Sequence, residues 1–278
     1  MNAHGKLVLA ATPLGNLGDL TRRVEQALRE ADLVVAEDTR RTAVLLSHLG
    51  ISKPVWSFFE GNHYQRTPQI IEQVRLGKTV VMVTDAGSPT VSDPGFELVR
   101  ACLIEELPLE ALPGPCAAIM ALQLSGLPPD RFIFDGFLPR KGKARHERLA
   151  LYRQVGGSLI LYESPHRLVE TLEDLLAELG DVSCAVLREM TKLHEEQVRG
   201  PLSHVISRFE NRQVLGEVTI VVRLPEPEHP ELAGAIAGAR RLMREMGFKT
   251  KDASTAVALL TGADKKALYQ ALTEEKSE

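Results

Sequence analysis

Short apolar runs alternate with amphipathic stretches through the first 125 residues, and no other feature constrains the fold as strongly. Residues 6–11, 33–36, 79–84 and 109–112 are rich in Val, Leu and Ala, and 55–59 (V-W-S-F-F) is apolar and aromatic, as buried strands are. Between them, residues 19–30, 42–49, 68–76, 97–106 and 116–125 carry apolar side chains at helical spacing, with Asp19 or Thr21 as a first cap and Gly50 as a stop. Strands separated by helices are not hairpin neighbours. The pattern therefore predicts a mostly parallel sheet covered on both faces.

At residues 126–131 (G-L-P-P-D-R) a Pro-rich break opens a second α/β unit. Its strands are expected at 132–137, 158–162, 182–187 and 217–224, with helices at 145–154, 168–179 and 201–209 and mixed strand directions. A stiff P-E-P-E-H-P linker spans 225–230, and residues 231–278 read as three short helices. The expected domains are thus 1–125, 126–225 and 231–278, an ordinary division for a chain of 278 residues.

Composition narrows the function classes. A net charge of -4 argues against a uniformly basic coat for nucleic acid but leaves room for local patches. Cys102, Cys116 and Cys184 are far apart, which suggests neither a zinc site nor a disulfide framework and fits reduced thiols in a cytoplasmic protein. The eight histidines are scattered, so no metal is expected. An apolar leader and a membrane-length run are both absent from the sequence, so the expectation is a soluble chain with no membrane partner. P-loop and G-x-G-x-x-G fingerprints are missing as well.

Ligands of open parallel sheets bind beyond the carboxyl ends of the strands. Three loops in such positions are dense in Gly and Pro: T-P-L-G-N-L-G at 12–18, D-A-G-S-P at 85–89 and L-P-G-P-C-A at 112–117. Each alone is an ordinary βα turn; together they indicate a shared cleft. With A-E-D-T-R (36–40), G-F-L-P (136–139), Y-E-S-P-H-R (162–167) and R-E-M-T-K (188–192), they form an ordered set that resembles the small-subunit ribosomal RNA methyltransferase I group of the tetrapyrrole methylase superfamily.

That resemblance implies two α/β domains with S-adenosylmethionine in the cleft between them, a small helical domain, and a homodimer. It implies 2′-O-methylation of a cytidine ribose in the decoding region of 16S rRNA, with the small ribosomal subunit as partner. Carried over residue by residue, the cofactor contacts are Pro13, Asp85, Gly87, Ser88, Val91, Pro115, Ala118, Ile119, Tyr162, Glu163, Gly216 and Glu217. Ala118 and Ile119 also fit plain helix packing.

A ribose hydroxyl is a weak nucleophile, so a general base is expected. Candidates are Glu163 and His166, Glu189 with Lys192, and Asp38 beside Arg40 and Arg41; the last two sets also read as structural ion pairs. For RNA, Arg140, Lys141, Lys143, Arg145 and Arg148 crowd one loop. The tail adds Arg240, Arg241, Arg244, Lys249, Lys251, Lys265 and Lys266 on a helix-turn-helix-like pattern. Two alternatives stay open: a branch that methylates a tetrapyrrole or a modified histidine, and a non-catalytic RNA-binding assembly factor.

Overall fold

The computed structural model describes residues 5–93, 95–153, 155–225 and 230–274. Most of the expected linker, the end of the expected 145–154 helix and the last four residues lie outside them. Residues up to Pro225 form one compact unit, and those from Glu226 a second.

In the first unit, β1 (Lys6–Ala10), β2 (Leu33–Ala36), β3 (Val55–Ser57), β4 (Thr79–Val83) and β5 (Leu109–Leu112) pair in parallel, in the order β3-β2-β4-β1-β5. Helices α1 (Arg22–Glu30), α2 (Thr39–His48), α3 (His63–Arg75) and α4 (Gly95–Ile104) connect them. Alternate strand residues face opposite ways, which divides the core into two clusters. Leu7, Val35, Val80 and Met82 meet Ile70, Val74 and Leu98 of α3 and α4. Val8, Val34, Val81 and Val83 meet Val24, Leu28, Leu45 and Leu46 of α1 and α2.

A second sheet contains β6 (Phe132–Phe137), β7 (Gly157–Glu163), β8 (Ser183–Arg188), β9 (Glu196–Pro201) and β10 (Val218–Leu224), ordered β6-β7-β10-β8-β9. Only the β6–β7 pair is parallel, which matches the expected mixture of directions. One face packs Leu159, Leu161, Val186 and Ile220 against α6 (Lys143–Tyr152), α7 (Leu168–Leu179) and α8 (Leu202–Phe209). On the opposite face, Ile160, Ala185, Leu187 and Val221 bury Ala118, Ala121 and Leu122 of α5 (Ala117–Ser125). The helix that follows the last strand of the first sheet therefore covers the back of the second.

Three elements differ from the periodicity reading. α2 begins at Thr39 rather than 42, because the Asp38 carboxylate caps it by accepting the Arg40 N–H at 2.8 Å. α3 starts ahead of Pro68 and holds it inside, at the cost of one helical donor. β9 was not expected: as an edge strand it buries only Val198, so its E-Q-V-R-G-P sequence reads as polar.

The second unit consists of α9 (Pro230–Met246), α10 (Thr250–Thr261) and α11 (Lys265–Glu274) around Ala239, Ala253, Val257, Leu268 and Leu272. Gly262, at φ +76°, ends α10, giving the expected helix-turn-helix pattern. No helix among the described residues is long and apolar enough to cross a membrane.

Candidate functional site

The loops beyond β1, β2, β4 and β5 are bonded to one another. Thr12 and Gly87 exchange backbone hydrogen bonds of 2.8 and 3.0 Å, and the Thr12 hydroxyl donates to the Thr84 carbonyl at 2.9 Å. Asp85 Oδ1 accepts the Asp38 N–H at 3.0 Å, joining the β2 and β4 loops. Ser88 donates to the Pro115 carbonyl at 3.1 Å, joining β4 to β5.

The 84–95 loop is strained. Gly87, Thr90 and Ser92 all lie at positive φ, 85°, 76° and 66°. Only Gly87 adopts this without a steric penalty; Thr90 and Ser92 cost about 1–2 kcal/mol each and need outside support. Asp93 supplies it at Thr90, accepting the Thr90 and Gly95 N–H groups at 2.7 Å each. Burial raises the pKa of the Asp93 carboxyl, although these two donors act to lower it.

A cavity of about 420 Å³ opens between these loops and the second sheet. From the first sheet come Leu14, Glu37, Arg41, residues 84–88, Val91 and Ser92; from the second come Phe137, Tyr162, Glu163, residues 216–219 and others. Of the expected cofactor contacts, Asp85, Gly87, Ser88, Val91, Tyr162, Glu163, Gly216 and Glu217 line it. Pro13, Pro115, Ala118 and Ile119 do not: Pro13 faces a smaller cleft, Pro115 presents its carbonyl to Ser88, Ala118 is buried in packing and Ile119 is exposed.

Glu37 is the residue that sequence reasoning missed. It follows β2 directly, lines the cavity and accepts the Thr84 hydroxyl at 3.2 Å. Burial, and then the charges of Asp85 and Asp93, hold its carboxyl above the usual glutamate range. The available signal was its position at the carboxyl end of a buried strand; Asp38 beside it drew the attention instead. Asp38 points into an ion pair with Arg40 at 2.7 Å, whose hydrogen bond pulls its carboxyl down to about 2, so it is a cap and not a proton acceptor.

Glu163 lines the cavity with its carboxylate engaged by neighbouring groups. Its carboxylate accepts the Ser164 N–H at 2.7 Å and the Thr171 hydroxyl at 2.6 Å, and lies 3.3 Å from Arg167. Arg167 also donates to the Leu138 and Pro139 carbonyls at 3.1 and 3.3 Å, tying the G-F-L-P loop to β7. His166 is exposed and lies outside the cavity.

Arg145 belongs to the same buried network and is corrected as an RNA contact. It is 1% exposed, lies 2.5 Å from Asp174 and donates to Thr171 at 3.0 Å. Burial with an acidic partner leaves no surface for a phosphate. Arg140, Lys141 and Lys143 are exposed on the same loop, while Lys143 is 3.4 Å from Glu147 and Arg148 is 3.3 Å from Asp135.

At the cavity rim, Lys192 Nζ donates to Glu189 at 2.8 Å and Glu217 at 2.9 Å. Its aliphatic chain lies against Gly15, joining the β1 loop to the second sheet. Burial would raise the Glu189 carboxyl, yet the Lys192 ammonium and the Glu217 N–H together bring it below its ordinary range. A side chain on Gly216 would collide with the Glu189 carboxylate. Glu189 and Thr191, at φ 52° and 68°, are strained in the same turn. Glu189 and Lys192 are thus a clamp at the rim rather than a free base.

Chemically, the cavity combines four carboxylates (Glu37, Asp85, Glu163 and Glu217) with one arginine and two aromatic rings, Phe137 and Tyr162. Burial pushes the Tyr162 hydroxyl up to about 12, so the ring serves as a neutral wall. Such a site suits a cationic ligand that carries a planar group.

A family model described as Tetrapyrrole (Corrin/Porphyrin) Methylases matches residues 6–206. The ribosomal RNA small subunit methyltransferase I of Thermotoga maritima is 47% identical, covering 78% of this chain and 98% of its own. The protein of the same name from Escherichia coli O157:H7 is 38% identical over 99% of this chain and 97% of its own. Among solved structures, a diphthine synthase superposes with a TM-score of 0.64 at 17% identity, covering 79% of this chain and 90% of its own. The uroporphyrin-III C-methyl transferase of Thermus thermophilus complexed with S-adenyl homocysteine superposes at 0.59 and 19% identity, covering 79% and 97%. The two solved structures speak for the fold and the relatives for the group: this chain belongs to the tetrapyrrole methylase family, among the ribosomal RNA small subunit methyltransferases I.

Proposed function

We propose that this chain uses S-adenosylmethionine to methylate the 2′-hydroxyl of a cytidine ribose in the decoding region of 16S rRNA. The observation that carries the reading is the cavity between the two sheets, in a chain whose relatives bear the name of an rRNA methyltransferase over nearly its whole length. Asp85, Glu37 and Glu217 offer negative charge to a cofactor whose sulfonium and ammonium are both cationic. The left-handed Gly87 and the small Ser88 allow close backbone approach, and Tyr162 and Phe137 offer apolar faces to an adenine.

Bound there, the cofactor supplies a methyl carbon already activated by its sulfonium. The chain's task is then to position the hydroxyl and take its proton. Glu37 fits that second task, because its raised pKa makes it a stronger base than an ordinary carboxylate. The Lys192 clamp, with Glu189 and Glu217, holds the rim closed around the site. Arg140, Lys141 and Lys143 meet RNA phosphates beside the second sheet, and the lysines of the helical tail do so elsewhere. The acting species is a cytoplasmic homodimer working on the small subunit, with residues 1–125 and 126–225 as its two α/β domains.

Tritiated methyl transfer to small subunits from a strain lacking this protein tests the reading. Label is expected in 16S rRNA, on a ribose that resists alkaline cleavage. Labelling of a tetrapyrrole or a protein instead, or of nothing, would overturn it.

A further inference from the structure

The helical unit contains a cleft lined by a tyrosine to which the methyl-transfer reading gives no role. Lys251 at the start of α10 faces Lys265, Lys266 and Tyr269 of α11, and Asp264 completes the lining of a volume of about 660 Å³.

Spacing explains the convergence. Lys265 and Lys266 precede Tyr269 by four and three residues, which places all three on one face of α11. Asp264 is committed to the helix cap, accepting the Ala267 N–H at 2.7 Å. Among the described residues no carboxylate pairs with Lys251, Lys265 or Lys266; Glu245 is taken by Arg241 and Arg244. Residues 232–273 hold seven Lys and Arg against three Asp and Glu, in a chain whose overall charge is -4. Tyr269 is 45% exposed, an aromatic ring left beside three unpaired cations.

We infer that this cleft binds a nucleotide of single-stranded RNA, with its base stacked on Tyr269 and its phosphates met by Lys251, Lys265 and Lys266. The inference rests on the reading of RNA as substrate and deepens it. An exposed ring flanked by cations is the elementary form of a single-strand site, because stacking tolerates any base while the cations follow the backbone. A duplex presents no free base face, so the cleft favours unpaired RNA.

The test uses the full chain and a fluorescein-labelled eight-nucleotide RNA followed by anisotropy. Tyr269→Ala is expected to weaken binding roughly 5- to 150-fold, from about 1–3 kcal/mol per stacked base, and Tyr269→Phe to restore it. Replacing Lys251, Lys265 and Lys266 together with Ala should flatten the salt dependence by about 0.7 in log–log slope for each phosphate left without its lysine. A 4-thiouridine version of the RNA should cross-link to the peptide that contains Tyr269. Unchanged affinity in Tyr269→Ala, cross-links confined to other peptides, or equal competition by poly-glutamate would overturn the cleft. A wild-type chain that labels rRNA while Tyr269→Ala binds normally refutes this inference alone. Conversely, Tyr269-dependent RNA binding without methyl transfer refutes the proposed reaction and leaves the cleft standing.

Discussion

At the scale of single residues, environment decides the role of each charged group more than identity does. Glu37, Asp38 and Glu163 are all carboxylates close to the cavity, yet Glu37 is lifted above its ordinary range, Asp38 is pulled below it by Arg40, and Glu163 is enclosed by hydrogen bonds from Ser164 and Thr171. The linkage has a definite sign. A folded-state pKa above the unfolded value gives stability that is complete below about pH 4.5 and is lost as pH rises through the folded value. Glu37→Gln should therefore gain stability relative to wild type as pH rises from 4.5, and hold that gain above the folded pKa. Denaturant melts across pH measure this. The same variant should lower kcat by about 10²–10⁴-fold and remove the acidic limb of its pH profile. Arg145 gives the second contrast. Arg145→Ala strands Asp174 and should cost about 3–5 kcal/mol in chemical denaturation without altering the salt slope of RNA binding. Replacing Arg140, Lys141 and Lys143 with Ala should do the reverse. The two kinds of basic side chain look alike in a one-letter string; only burial distinguishes them.

At the scale of elements, the central strands were legible because each is buried on both faces and its apolar run is continuous. The edge strand β9 was not, since one face and one edge meet water and a single valine carries its pattern inward. The 84–95 loop shows the limit from the other side. Its glycines and prolines announce a shaped turn, but nothing in the string says that Thr90 and Ser92 are left-handed or that Asp93 ties Thr90 to Gly95. Asp93→Ala should release both N–H groups, cost about 1–3 kcal/mol in a denaturant melt, and weaken cofactor binding in calorimetry. An affinity equal to wild type would show that the loop keeps its shape without that support.

For the whole molecule, the expected architecture of two sheets and a helical tail holds, and packing ties the two sheets together. α5, expected to close the first α/β layer, buries Ala118, Ala121 and Leu122 on the second sheet, so the two sheets share one compact unit. The tail has its own core of alanines, valine and leucines and forms a separate unit. A fragment ending at Pro225 should consequently fold cooperatively and bind S-adenosylmethionine in calorimetry, while binding single-stranded RNA more weakly than the full chain. An unfolded fragment would show that the two units depend on each other for stability. The sequence by itself determined the alternation of strands and helices and the three ligand-capable loops, because periodicity and local turn chemistry are written residue by residue; the ordered motifs carried the resemblance to the family. Only the tertiary structure decided which carboxylates line the cavity, which arginine is buried, and that Lys192 joins two carboxylates from separate turns. Those outcomes depend on desolvation and on partners distant along the chain, and neither has a local signature.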